Sequence, residues 1–189
     1  MRSLFRALAA LVLLTVALPA HAAVTMIFWS HELGQTFPHA FVTLRGTPDG
    51  GGAPVDTNYG FTAKSVSPAI LFGPVPGRME VLKPAYIDSS TAHFSVRLTD
   101  AQYADILALV AAWSDDKGDG VYRLASHNCV HFVKDVARRV GLVDLDRPKL
   151  MKKPRSYLNA VGVANAGRVT RIDLHGKAYR ATLEAGVTG

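Results

Sequence analysis

The chain has 189 residues, 49% hydrophobic and 19% charged, a length and composition that suit one globular domain and exclude disorder or a coiled coil as the main architecture. Its 21 basic and 15 acidic residues give a net charge of +6, reduced to +4 without Arg2 and Arg6 near the start. That excess is small and scattered, so a nucleic-acid footprint, which needs cations gathered on one face, is excluded. The one dense basic run, 149–155, reads as a solvated turn.

Arg2 and Arg6 precede the apolar run Ala7 to Ala17, followed by Leu18-Pro19 and the small-residue triplet Ala20-His21-Ala22. This pattern predicts a secretory signal peptide over residues 1–22, cleaved after Ala22, and an exported domain of residues 23–189, periplasmic or secreted. The apolar run is shorter than the roughly 20 residues a membrane-spanning helix needs, so no integral span is expected. In an exported chain the lone thiol, Cys129, forms no internal disulfide. An unpaired cysteine there points to burial, metal binding or use as a nucleophile.

In chain order, strands are expected at Val24 to Trp29, Ala40 to Leu44 and Val55 to Phe61, with a Gly/Pro/Asp loop from Gly46 to Pro54. The Pro- and Gly-rich stretch 63–83 reads as irregular with a short strand at Met79 to Leu82, and Tyr86 to Leu98 as a further strand region. Thr99-Asp100-Ala101-Gln102 is a capping box opening a helix to about Asp115, with Ile106, Leu107, Val110 and Trp113 at helical spacing. A turn follows at Asp116 to Gly120. Next come a short strand at Val121 to Leu124 and a helix from Ser126 to Val140, ended by Gly141. One or two helical turns at Ser156 to Val163 precede a terminal β-hairpin, Arg168 to Leu174 with Lys177 to Leu183. The implied fold class is α+β: an antiparallel sheet packed on the Cys129 helix, with the Thr99 helix beside it.

The chemistry centres on Cys129, in the first turn of its helix with Asn128 or Ser126 as candidate N-cap. Unpaired amides and the helix dipole place positive potential there, which favours thiolate and could steady an oxyanion. A base and an orienter complete such a site. His39, at a strand edge beside Pro38, is the best base, and Asn58 or Tyr59 on the following strand could hold its second ring nitrogen. A zinc reading of His127, Cys129 and His131 is disfavoured, because Cys129 points away from the face that the two histidines share. His31 and His93 read as surface or half-buried strand-edge residues, and no cofactor is expected.

The string Tyr122-Arg-Leu-Ala-Ser-His-Asn-Cys-Val-His-Phe-Val133 resembles the cysteine motif of the circularly permuted branch of NlpC-like papain-fold proteins, which includes the lecithin retinol acyltransferase-like enzymes. Tyr122, Asn128, Cys129, His131 and Phe132 match that motif. Pro38-His39-Ala40-Phe41 is similar to the branch's histidine strand, and Thr57-Asn58-Tyr59 falls where its third polar residue lies. The resemblance implies a permuted papain-like fold, with Cys129 as nucleophile, His39 as general base and Asn58 as orienter, and Tyr122, His131, Asn128 and Tyr59 in support. Where the acyltransferase group usually carries a third-position histidine, this chain has Asn58 or Tyr59. The implied activity is a thiol hydrolase or acyltransferase, with an amide of a cell-wall peptide as first expected substrate and an acyl lipid or ester as second; the alternative is a non-catalytic exported binding protein that keeps the papain-like core for its shape.

Overall fold

The computed structural model describes residues 24–32, 37–65, 67–114 and 120–187; the expected signal peptide and most of the 116–120 turn lie outside them. The described chain is α+β. Seven strands, β1 (Thr25–His31), β2 (His39–Gly46), β3 (Val55–Ala63), β4 (Val75–Glu80), β5 (Thr91–Arg97), β6 (Val121–Tyr122) and β7 (Thr170–His175), form one antiparallel sheet in the order β6-β4-β3-β2-β1-β5-β7. Five α-helices accompany it: α1 (Pro84–Asp88), α2 (Asp100–Trp113), α3 (Cys129–Arg139), α4 (Pro154–Ala164) and α5 (Gly176–Val187). None is long and apolar enough to cross a membrane.

Alternation along the central strands divides the core. Met26 and Phe28 of β1 and Ala40, Val42 and Leu44 of β2 turn to one face, where they bury Ile106 and Trp113 of α2, Phe132, Val133 and Val136 of α3, and Tyr157 and Leu158 of α4. Ile27, Trp29 and Phe41 turn to the other, where α1 and α5 supply Tyr86, Ile87 and Tyr179. The capping box at Thr99 forms as the sequence predicts, with Gln102 donating its backbone N–H to the threonine hydroxyl and returning its side-chain oxygen to the Thr99 N–H. Gly141, at φ +80°, follows the end of α3 as expected.

Three expectations change. The segment from Tyr86 begins as helix: Pro84 starts α1 with its ring-fixed φ, and Ser89 and Ser90 both donate to the Tyr86 carbonyl, so β5 spans only Thr91–Arg97. The fourth strand lies at Val75–Glu80 instead of Met79 to Leu82, because it pairs with β3 from Gly60↔Glu80 to Ala63↔Gly77. The terminal hairpin is a strand and a helix: β7 pairs with β5, but Lys177 to Leu183 lies within α5. The Gly176 N–H donates to Ser90 O at 2.7 Å, and a Cβ on Gly176 would stand 2.2 Å from the Ile87 carbonyl. The chain therefore turns tightly against α1. Tyr179 then meets Trp29 edge-on at 5.7 Å, and Arg180 pairs with Asp88. A fourth expectation changes with them: His93, read as half-buried at most, is 1% exposed.

Candidate active site

Asn128 is the N-cap of α3 and fixes Cys129 as its first helical residue. Its Oδ1 accepts from the N–H of Val130 at 2.8 Å and of His131 at 3.1 Å, while its Nδ2 donates to the carbonyls of Leu124 and Met151 at 2.8 and 2.9 Å. His131 completes the box from its side: its Nδ1 lies 2.9 Å from the same Oδ1 and 3.4 Å from the Asn128 N. Of the two N-cap candidates in the sequence, Asn128 is the one used, and His131 occupies the position where glutamate or glutamine usually stands. The cap engages the amides of Val130 and His131, and the N–H groups of Cys129 and Val130 both lie near the sulfur.

Cys129 faces a cleft of about 400 Å³ that His39, Tyr122 and Tyr86 also line. The β2–β3 ladder runs only from Gly46↔Val55 to Val42↔Tyr59, and β3 beyond Gly60 pairs with β4 instead. The first residues of β2 are thereby released from β3, and the Ala40 backbone N–H lies where it favours the thiolate of Cys129. The cysteine thus sits at a split in the sheet.

Burial is the largest influence on the thiol and pushes it up to about 11, outweighing the backbone N–H donors of Ala40, Val130 and Cys129 itself, which pull the other way. The helix-end preference for thiolate expected from the sequence is therefore overridden by burial. His39 is 7% exposed; burial, and then the neighbouring His31, lower its pKa to about 4. Both groups rest neutral near pH 7. Tyr122 is also pushed up, first by burial and then by the nearby Cys129.

His39 stands in the same cleft with its Nε2 buried and without any hydrogen-bond partner. No other buried side-chain nitrogen or oxygen among the described residues lacks a partner. A Cβ on Gly60 would lie 2.5 Å from this nitrogen and 3.1 Å from the Phe41 Cβ, so the ring packs directly on β3 backbone. On its other side the Phe41 ring lies 6.1 Å away and nearly parallel, and Tyr86 meets it edge-on at 6.5 Å. His31, directly opposite His39 in the β1–β2 ladder, stacks on Tyr86 at 4.2 Å.

Asn58 is buried, but its carboxamide is engaged with Leu82: Oδ1 accepts the Leu82 N–H at 2.6 Å and Nδ2 donates to the Leu82 carbonyl at 3.1 Å. No hydrogen bond joins it to His39. It braces the segment after β4 that forms one wall of the cleft, since Leu82 lines it. Tyr59 packs against the helix-side core, on the opposite face of β3 from Asn58. Among the described residues no carboxylate or carboxamide bonds the His39 ring. His127 stacks on Trp113 at 3.9 Å and lies 2.7 Å from the Val121 carbonyl through Nδ1, which holds β6 beside the start of α3.

Sequence reasoning missed Gly60, His31, Tyr86 and Leu82 as neighbours of this cleft. Gly60 alone carried a signal, as a glycine inside a strand pattern marks a close approach.

No protein-family model matches the chain, and no curated protein sequence matches it. Among solved structures, the chain is similar to the type VI secretion system effector TseH, with a TM-score of 0.51 and 15% identity over 80% of this chain and 98% of that one. The shared property is the fold.

Proposed function

We propose that this chain is an exported cysteine hydrolase with a permuted papain-like core, acting through an acyl-enzyme on an amide bond in cell-wall peptides. The observation that carries the reading is the shared cleft: the only thiol, at the first position of a capped helix, opens onto the same space as a histidine with a buried, unpartnered Nε2. An orphaned buried imidazole nitrogen costs stability, so a function that uses it is the economical explanation.

In the proposed reaction His39 accepts the Cys129 thiol proton as the sulfur attacks the carbonyl carbon. The Cys129 N–H, left over by the Asn128 cap, steadies the oxyanion. The imidazolium then returns the proton to the leaving amine, and a water activated by His39 cleaves the thioester. Asn58 supports the cleft wall through Leu82, Tyr122 closes the side nearest the sulfur, and Asn128 with His131 holds the helix end. A second reading, an acyl-ester or lipid substrate on the same pair, is favoured by the apolar Phe37, Ile70 and Val81 in the cleft lining.

The test is to incubate the exported chain with soluble cell-wall peptides and with short acyl esters, following cleavage and the mass of trapped protein. A Cys129-linked acyl adduct, absent in Cys129→Ala, together with loss of turnover in His39→Ala, is the expected result. If neither substrate class is cleaved or trapped, the chain is a binding protein that retains the fold.

A further inference from the structure

The basic turn 149–155 stands apart from the rest of the surface in its charge. Lys149, Lys152, Lys153 and Arg155 are all exposed, and among the described residues none of the four pairs with a carboxylate. The acids nearest them in sequence are taken by other cations, Asp144 by Arg147, Asp146 by Lys134 and Asp173 by Arg171. Residues 147–172 contain no aspartate or glutamate. The acidic side chains outside the described residues are Asp115, Asp116 and Asp119, which share their turn with Lys117; set in full against the four cations they still leave an excess of +2.

The fold holds these charges in place. Leu150 and Met151 pack against the helix-side core and Pro154 is buried, while the cations between them stay in water. The Leu150 N–H donates to the Arg147 carbonyl and the Lys153 N–H to the Leu150 carbonyl, each at 2.8 Å. Asn128 Nδ2 donates to the Met151 carbonyl at 2.9 Å, which ties the turn to the residue that precedes Cys129. Lys153 and Arg155 stand at the start of α4, where the helix dipole disfavours cations, and Arg155 is near enough to His93 to oppose its protonation. Four like charges fixed this closely raise the energy of the free chain, and a polyanion relieves them. None of the four lines the cysteine cleft, so they form an open surface that suits a polymer with repeating charges and not one enclosed anion.

We propose that the 149–155 turn docks the chain onto the cell-wall polymer through the free carboxylates of its peptides, beside the helix that carries the thiol. The identity of the polymer rests on the hydrolase reading, but docking requires no turnover, so the two fail separately.

The experiment is co-sedimentation of the full exported chain, as Cys129→Ala so that nothing is cleaved, with insoluble cell-wall sacculi, native or with their carboxylates converted to amides. Four exposed ion pairs predict roughly 30-fold weaker binding by Lys149→Gln/Lys152→Gln/Lys153→Gln/Arg155→Gln, and a similar loss on the amidated wall or at high salt. The melting temperature of this variant is no lower than the parent's, because it removes repulsion and no contact in the core. Lys152→Gln/Lys153→Gln should weaken binding about fivefold. Arg168→Gln/Lys177→Gln, which removes two equally exposed cations elsewhere, should bind as the parent does. With Cys129 restored, the fourfold variant cleaves a soluble wall peptide at the parent's rate. Docking without any such cleavage supports the surface and removes only the hydrolase reading. Undiminished binding by the fourfold variant, equal binding to the amidated wall, or an equal loss in Arg168→Gln/Lys177→Gln overturns the proposal.

Discussion

Two buried histidines lie within this sheet, and their surroundings could hardly differ more. His93, on β5, has both ring nitrogens engaged: Nδ1 lies 2.9 Å from the Asn159 oxygen, and Nε2 lies 2.7 Å from the Ser30 hydroxyl. As the amide oxygen only accepts, Nδ1 carries the proton and the serine donates to Nε2. His39, on β2, is held by van der Waals packing between Gly60 and Phe41, and its Nε2 bonds to nothing. Burial lowers both to about 4. A depressed histidine pKa therefore does not mark an active site by itself; what sets His39 apart is a ring that lines the cysteine cleft and carries an unsatisfied nitrogen.

The largest effects that would break this contrast are catalytic. Cys129→Ala is expected to abolish turnover, and His39→Ala to lower kcat/KM by about 10²–10⁴-fold, the usual worth of a general base, while leaving the fold intact by circular dichroism. His93→Ala should do the opposite, retaining kcat in the folded fraction. A His93→Ala enzyme that folds normally and is inactive would remove the distinction between the two sites.

Alkylation of Cys129 by iodoacetamide sharpens it next. With the thiol near 11, the chain should react at pH 7 more than tenfold slower than a free cysteine peptide and accelerate up to strongly alkaline pH. Fast reaction at pH 6 would instead reveal a preformed thiolate–imidazolium pair. Gly60→Ala then tests the seat of His39: its methyl would meet Nε2, so turnover should fall with the ring displaced, and by more than stability does.

Stability follows in order of size. His93→Ala should cost about 2–4 kcal/mol in denaturant melts, for the lost packing and the two polar groups left behind. Both histidines titrate near 6.5 when unfolded but near 4 when folded, so below 6.5 the unfolded chain binds protons that the native chain refuses. Stability is full above about 6.5 and declines as pH falls towards 4, by on the order of 3 kcal/mol for each ring. Each single histidine variant should flatten part of that slope, and a pH-independent melting temperature between 7 and 4.5 would refute the assignment. Smallest is Thr99→Ala, which removes the cap of α2 and should cost about 1 kcal/mol.

Much of this was legible beforehand because it rests on local chemistry. The capping box at Thr99, the glycine after α3 and the strand-forming runs of β1 to β3 are decided by neighbours within a few residues. So is the place of Cys129 at a helix N-terminus, which Asn128 ensures from one residue away. The misreadings were made by distant partners. Lys177 to Leu183 alternates well enough for a strand, but Gly176 fits only against α1, and Tyr179 finds Trp29 only when the segment is helical. Asn58 reads as a polar strand residue free to orient a histidine until Leu82, 24 residues on, takes both ends of its carboxamide.

The sequence by itself determined the α+β class, the single thiol at a capped helix end and a histidine strand preceding it, because periodicity and capping act over one or two turns of chain. Only the tertiary structure decided that Cys129 and His39 share a cleft, that burial outweighs the helix end at the sulfur, and that the His39 nitrogen lacks a partner. Solvent exclusion and the split between β2 and β3 are set by residues far apart in sequence, and no local pattern encodes them.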